Sequence, residues 1–170
     1  QMKKDEQRPL VIMSPKSLLR LPEARSPKQH FLEGTFKEFL DDTSGNDKSK
    51  VKKVLLTSGK IYYELDKFRR DNGFTDVAIV RIEQLYPFEG AMLKEILAQY
   101  PTLEEVLWVQ EEPRNMGGWN FLKPRIDEVL EKKMRVQYVG RVESASPAVG
   151  SAKLAAAQQE AIIRTAFTML

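Results

Sequence analysis

The chain has 170 residues, of which 42% are apolar and 30% charged, with 27 basic against 24 acidic side chains and no cysteine. This length supports one domain with a sizeable core. The net charge of +3 is too small to demand a nucleic-acid or anionic-membrane partner. The missing cysteines exclude a disulfide framework or a thiolate metal site, and no apolar run approaches the roughly 20 residues that span a bilayer.

The start, QMKKDEQRP, is charged and lacks the apolar core of a signal peptide. Residues 1–8 read as a solvated leader and 9–170 as a single domain. Leu10-Val11-Ile12-Met13 reads as a first short strand. Ser14 and Pro15 suit a helix cap and first helical position, leading to a short turn at 17–20 that ends near Pro22. The signals in 23–42 are mixed and leave that stretch unassigned. The segment 41–50, DDTSGNDKSK, reads as a surface loop.

Residues 51–56 read as a second strand. Thr57-Ser58-Gly59 turns the chain, and 60–72 form a helix whose apolar face is Ile61, Leu65 and Phe68, joined by Tyr62 or Tyr63. Gly73 ends it. Next comes an apolar run at 77–80, a helical stretch with Ala91, Met92, Ile96 and Leu97, and a second apolar run at 106–109. Strand, helix and strand in that order signal a parallel βαβ unit. Near-continuous apolar strands imply burial on both faces. A helix over 119–133 follows, and Pro124 in its early part points to a start at Lys123 or later. The alternating run 134–139 reads as a fifth strand at an edge, 144–150 as a loop of small residues, and 153–169 as a last helix. The expected fold is a three-layer α/β/α sandwich on about five strands.

Thr57-Ser58-Gly59-Lys60 stands at a strand-to-helix turn. Backbone N–H groups, the helix dipole and Lys60 would favour an anion there, although the spacing is not that of a P-loop, and an ordinary turn explains the same residues. Arg20, Arg81 and Arg141, if they converge with Ser58 and Lys60, complete an effector site for phosphate. Such convergence requires the strands before Arg20, Ser58 and Arg81 to be adjacent and parallel. Glu111 and Glu112 point to opposite faces of a strand, so one is expected to be partnered and the other solvated. His30, the single histidine, makes a poor zinc site and reads as a surface residue.

Five ordered blocks, PLVIMSPKSLLR (9–20), TSGKIYYEL (57–65), DVAIVRIEQLYPF (76–88), WVQEEPRNMGGW (108–119) and SASPAVG (144–150), resemble the C-terminal domain of the 2-oxoglutarate dehydrogenase E1 component. The 2-oxoadipate dehydrogenase E1 is a close rival, and a stand-alone binding module is a further alternative. The resemblance implies a transketolase C-terminal fold, a five-stranded mixed sheet with most strands parallel. It implies a thiamine diphosphate- and Mg²⁺-dependent parent that oxidatively decarboxylates 2-oxoglutarate and passes succinyl to the lipoyl group of E2. The family's diphosphate motif begins Gly-Asp-Gly. None occurs here, and Asp71-Asn72-Gly73 is a helix-end signal. No catalytic, cofactor or metal residue is therefore expected in this chain. The implied partners are the preceding catalytic domains, a second E1, and E2 and E3 of the complex, in the cytoplasm or the mitochondrial matrix. AMP or acetyl-CoA is the implied effector. Tyr86, Phe88, Trp108 and Trp119 are the expected interface residues, since aromatic side chains are enriched at interface cores.

Overall fold

A computed structural model describes residues 5, 8, 9, 11–131 and 133–168. The chain divides into two compact units, Gln1–Gly34 and Thr35–Leu170. In the first, single helical turns at Leu18–Arg20 and Pro22–Ala24 precede a five-residue helix α1, Lys28–Leu32. None of the three contains a buried residue.

The second unit holds the sheet. Its strands are β1 (Phe39–Leu40), β2 (Lys53–Thr57), β3 (Val77–Ile82), β4 (Glu105–Pro113) and β5 (Gln137–Arg141). Its helices are α2 (Ile61–Asn72), α3 (Gly90–Leu97), α4 (Trp119–Val129) and α5 (Ala152–Thr168). The strand order is β1-β3-β2-β4-β5. β2, β3, β4 and β5 run parallel, and β1 lies antiparallel to β3 with Phe39 opposite Ile82. The expected mixed α/β sandwich is present.

Period-two geometry sorts the side chains into two cores. Val54, Leu56, Val80, Val106 and Trp108 meet Leu93 of α3 and Leu122 and Ile126 of α4 on one face. Leu55, Ile79, Leu107 and Val109 meet Ile61 and Leu65 of α2 and Ile162 and Phe167 of α5 on the other. Leu55 and Leu56 are both fully buried, which is why β2 reads as a continuous apolar run. Burying each such side chain is worth about 1.5–3 kcal/mol. α2 stops at Gly73, whose left-handed φ of 68° lets its N–H reach back to the last carbonyls.

Two expectations are corrected. Leu10 lies outside the described residues, and Val11–13 belong to no strand; Val11 and Met13 are 80% and 91% exposed. The strand beside β3 is instead Phe39–Leu40, inside the unassigned stretch. α4 begins at Trp119 and carries Pro124 inside it. β4 extends past the apolar run to Pro113, with an irregularity between Val109 and Pro113 where it pairs with β5.

The second unit is tied at one end by carboxylates. Burial pushes the Asp41 carboxyl up, but hydrogen bonds from Lys48, Tyr100 and the Asp42 amide outweigh it and hold the group below its ordinary 3.8. Burial likewise raises Asp127, while Lys123 at 2.8 Å, the Val136 amide at 3.0 Å and Arg135 lower it further. A carboxylate depressed in the folded state stabilises fully above its unfolded pKa, and the contribution is lost as pH falls through the lower folded value. The urea midpoint should therefore drop as pH is taken from about 5 to about 2. Asp41→Asn should flatten that drop; an unchanged acid limb would show that Asp41 carries none of it.

Candidate functional site

The chain leaves β2 toward β3 on one side and leaves β4 toward β5 on the other. Adjacent strands whose connections diverge open a crevice at their C-terminal ends, where α/β sheets place ligands. Here that crevice lies between Thr57-Ser58-Gly59-Lys60 and Gln110-Glu111.

Residues 57, 81, 111 and 141 continue the odd-numbered strand faces that α2 and α5 cover. Thr57 Oγ1 donates to the Val109 carbonyl at 2.9 Å and closes the floor. The Lys60 ammonium donates to the Glu111 carboxylate and lies 3.5 Å from Glu64. Gln159 of α5 donates 2.9 Å bonds to both Glu64 and Glu111. Burial alone would depress Lys60, but Glu111 and Glu64 prevail and hold its ammonium above its ordinary value. The guanidinium of Arg81 stacks over the Tyr62 ring at 4.4 Å, reaches the Tyr63 hydroxyl at 3.5 Å and lies 3.4 Å from Glu83. Arg141 Nε donates to the Glu111 carbonyl.

Lys60, Arg81 and Arg141 thus share one rim, with half-buried Ser58 in the turn beneath. Arg20 does not follow a strand of this sheet and belongs to the other unit, so the condition that would have brought it alongside fails. The rim also differs from a simple anion cradle in two respects. The Tyr62 and Tyr63 amides already donate to the Gly59 and Lys60 carbonyls, and Glu111 occupies the position facing Lys60. Residue spacing could not show this, because Lys60 and Glu111 are 51 positions apart. As expected, Glu111 is the partnered acid of its pair, and Glu112 is exposed. His30 is exposed in α1.

The aromatic interface residues separate. Trp108 and Trp119 are only 2% and 4% exposed and belong to this unit's own core, so the expectation of an interface at these two is corrected: they are packing residues. Trp108 Nε1 donates to Gln110 Oε1 at 2.7 Å, and Trp119 packs on Tyr138. Phe88 is partly buried against the core and edges onto Phe39. Tyr86 is 80% exposed, beside Phe121.

Gln110 is a residue that the sequence reading passed over. It is 3% exposed and uses its whole amide. Oε1 accepts from Trp108 and from the Trp119 amide at 3.1 Å; Nε2 donates to the carbonyls of Met116, Pro113 and Glu112 at 2.8, 3.1 and 3.3 Å. A Cβ on Gly117 would come within 2.9 Å of that Nε2. The signal available was its place on the same strand face as Trp108, where a polar side chain must find partners.

Residues 25–167 match the family model described as 2-oxoglutarate dehydrogenase C-terminal. The chain belongs to that family. Relatives in it include the 2-oxoglutarate dehydrogenase E1 component of Shouchella clausii, 42% identical over 98% of this chain, and that of Rickettsia conorii, 44% identical over 95%. The oxoglutarate dehydrogenase of Buchnera aphidicola is 43% identical over 95%. In all three the match takes up only 18% of the relative's own length, so the chain corresponds to under a fifth of each. Among the described residues, no three His, Cys, Asp or Glu side chains come together to hold a metal ion. No helix among them is long and apolar enough to cross a membrane.

Proposed function

We propose that this chain is the C-terminal domain of a 2-oxoglutarate dehydrogenase E1 subunit. The parent oxidatively decarboxylates 2-oxoglutarate with thiamine diphosphate and Mg²⁺ held elsewhere, and passes succinyl to the lipoyl group of E2. In this reading the sheet-bearing unit, 35–170, is a domain of the parent. The domain serves assembly, with the preceding catalytic domains, a second E1, and E2 and E3 as partners in the cytoplasm or the mitochondrial matrix. The observation that carries the reading is the match of 25–167 to a family model described as C-terminal, together with the match of nearly the whole chain to under a fifth of much longer 2-oxoglutarate dehydrogenase E1 components.

The test uses the full-length protein containing this chain, supplied with thiamine diphosphate, Mg²⁺ and an artificial electron acceptor. It should turn over 2-oxoglutarate at least about tenfold more efficiently than 2-oxoadipate, the discrimination one methylene usually allows. The 170-residue chain by itself should give no turnover above background. Turnover by the chain alone, or a preference for 2-oxoadipate, overturns the reading.

A second role, binding a phosphate-bearing effector such as AMP or acetyl-CoA, is supported by the gathering of Lys60, Arg81 and Arg141 above Ser58. A cleft of about 280 Å³ beside Arg141 adds to it. One of its lining residues, Gln158, has a buried Oε1 with no hydrogen-bond partner, which suits a ligand N–H. A phosphate entering here competes with Glu111 for Lys60. Glu111→Gln should therefore tighten effector binding to the full-length enzyme and Lys60→Ala weaken it, each by about tenfold for one charge-assisted contact. Equal affinities in wild type and both variants would place the effector elsewhere.

A further inference from the structure

We propose that the open edge of β5 docks an extended, acidic peptide of a partner protein, which joins the sheet as a further strand in the groove beside α5.

The first observation is the edge itself. Among the described residues β5 pairs with β4 alone, so its other side presents backbone N–H and C=O groups that no strand satisfies. Proteins blunt such edges by shortness, lysine or proline. The opposite edge of the sheet is blunted in this way, since β1 has two residues. β5 has five, Gln137–Arg141, without lysine or proline, and four of the five are only half-buried.

The second observation is the groove. The cleft of about 280 Å³ beside Arg141 follows the strand from Tyr138 to Val142 and is walled by Gln158, Ala161 and Thr165 of α5. An open strand edge with a groove alongside is how extended peptides add to sheets: main-chain hydrogen bonds give affinity, and pockets for alternate side chains give specificity. The buried Gln158 Oε1 that lacks a partner is an acceptor for an incoming N–H. Val142, 81% exposed, prolongs the apolar edge past the end of β5.

The third observation selects the peptide. Among the described residues that line the groove, Arg141 alone is charged; Glu143 does not line it. Arg141 Nε donates to the Glu111 carbonyl, a neutral acceptor. Ion pairs among the described residues engage Lys60, Arg81 and Arg164, but not Arg141. A carboxylate on the docked strand supplies the missing counter-charge, and β-branched apolar side chains suit the half-buried strand face. A phosphate held at Lys60 meets this groove only at Arg141, so the docking does not depend on the effector reading.

The experiment selects random peptides of about seven residues, long enough to span β5, displayed on phage against the immobilised full-length protein. Selected sequences should alternate β-branched with polar residues and carry Asp or Glu toward one end. The resynthesised peptide should slow exchange of the 137–141 amides by about tenfold or more. Methylating one set of alternate backbone nitrogens in the peptide should abolish binding, and methylating the other set should leave it, because a docked strand turns every second N–H to its neighbour. Arg141→Gln should weaken binding about tenfold, the effect of one charge-assisted contact. Ala161→Trp fills the groove from an exposed position on α5. It should abolish binding and leave the unfolding midpoint unchanged. The methylated peptides need no variant, so they decide the matter even if Ala161→Trp fails to fold.

Three results overturn the proposal: no peptide that binds β5 is selected, both methylated sets bind equally, or exchange at 137–141 does not respond to the peptide. Uniformly slow 137–141 amides in the free full-length protein overturn it as well. Slowing that grows with protein concentration makes the occupant a second copy of this chain, and slowing independent of concentration makes it another part of the same polypeptide.

Discussion

Replacing Arg69 by methionine should remove about 3–5 kcal/mol of stability, the loss expected when one partner of a buried ion pair is deleted. Arg69 is 2% exposed. Nη1 donates to Asp42 Oδ1 at 2.6 Å and to the Val77 carbonyl at 3.3 Å; Nη2 donates to Asp66 at 2.6 Å. Burial by itself would lower its pKa, but the two carboxylates prevail and raise it. Methionine fills much of the same volume, so packing is largely kept and the charge is what goes. The Asp42 side chain, 6% exposed, is then left buried without its counter-ion. The arginine joins α2, the start of β3 and the segment after β1, so its loss should loosen three elements together. Urea unfolding measures the effect. Arg70→Met, which touches the same Asp66 from a 55% exposed position, should cost less than about 1 kcal/mol. If Arg69→Met costs no more than Arg70→Met, the buried cluster is not what holds these elements. Asp42→Asn in the Arg69→Met background should return part of the loss by removing the stranded charge.

Gln110→Leu should cost about 3–5 kcal/mol for a different reason. The change keeps the volume and removes every polar contact. Trp108 Nε1 and the Trp119 amide lose their shared acceptor, and the carbonyls of Met116, Pro113 and Glu112 lose their donor. A buried polar group left without a partner costs about 1–3 kcal/mol, and at least two of these five have nowhere else to turn. The effect should also be local. Residues 114–118 link β4 to α4, and Gln110 is the side chain that anchors them, so their amides should exchange faster while those of β3 do not. Trp108 emission should shift, because its indole N–H changes partner. Gln110→Glu separates the two halves of the amide: it keeps an acceptor for both tryptophan N–H groups and removes the donors to the loop. It should therefore loosen 114–118 with little change in Trp108 emission. If Gln110→Leu unfolds at the wild-type midpoint with an unshifted emission, the hub has no energetic weight.

What residues alone reveal depends on how far apart the partners lie. Val77–80 and Val106–109 were legible because strands buried on two faces need apolar side chains at every position. Ile61, Leu65 and Phe68 were legible because a helix repeats its buried face within four residues. β1 was not, since its two residues, Phe39 and Leu40, carry no period. They are a strand only because the edge of β3 is open to them. Residues 11–13 lie in none of the five strands, although their composition is the more strand-like. At the candidate site, the turn after β2 and the cations at three strand ends were legible from strand boundaries. The Lys60–Glu111 pair that fills the crevice was not, nor was Arg69 against Asp42, because each joins residues that meet only after folding. Trp108 and Trp119 show the remaining ambiguity. A large aromatic residue suits an interface and a core equally, and here Gln110 Oε1 accepts from the Trp108 indole N–H and from the Trp119 backbone amide, with both side chains in the core.

The order of strands also governs how this chain can be made. β2 sits between β3 and β4, and both of its neighbours are synthesised after it. From Lys53 to Pro113 about sixty residues must be added, which takes roughly 3–12 s at ordinary translation rates. Until Ile82 is added, about halfway through that interval, β2 has neither neighbour complete, and for the rest it lacks β4, although Val54, Leu55 and Leu56 are fully buried in the finished protein. The last helix to appear, α5, carries part of the cover for Leu55, so the nascent unit gains its second hydrophobic layer only at the close of synthesis. A chaperone that holds short apolar segments would find its natural hold at Lys53–Thr57, and its release would be timed by the emergence of β4.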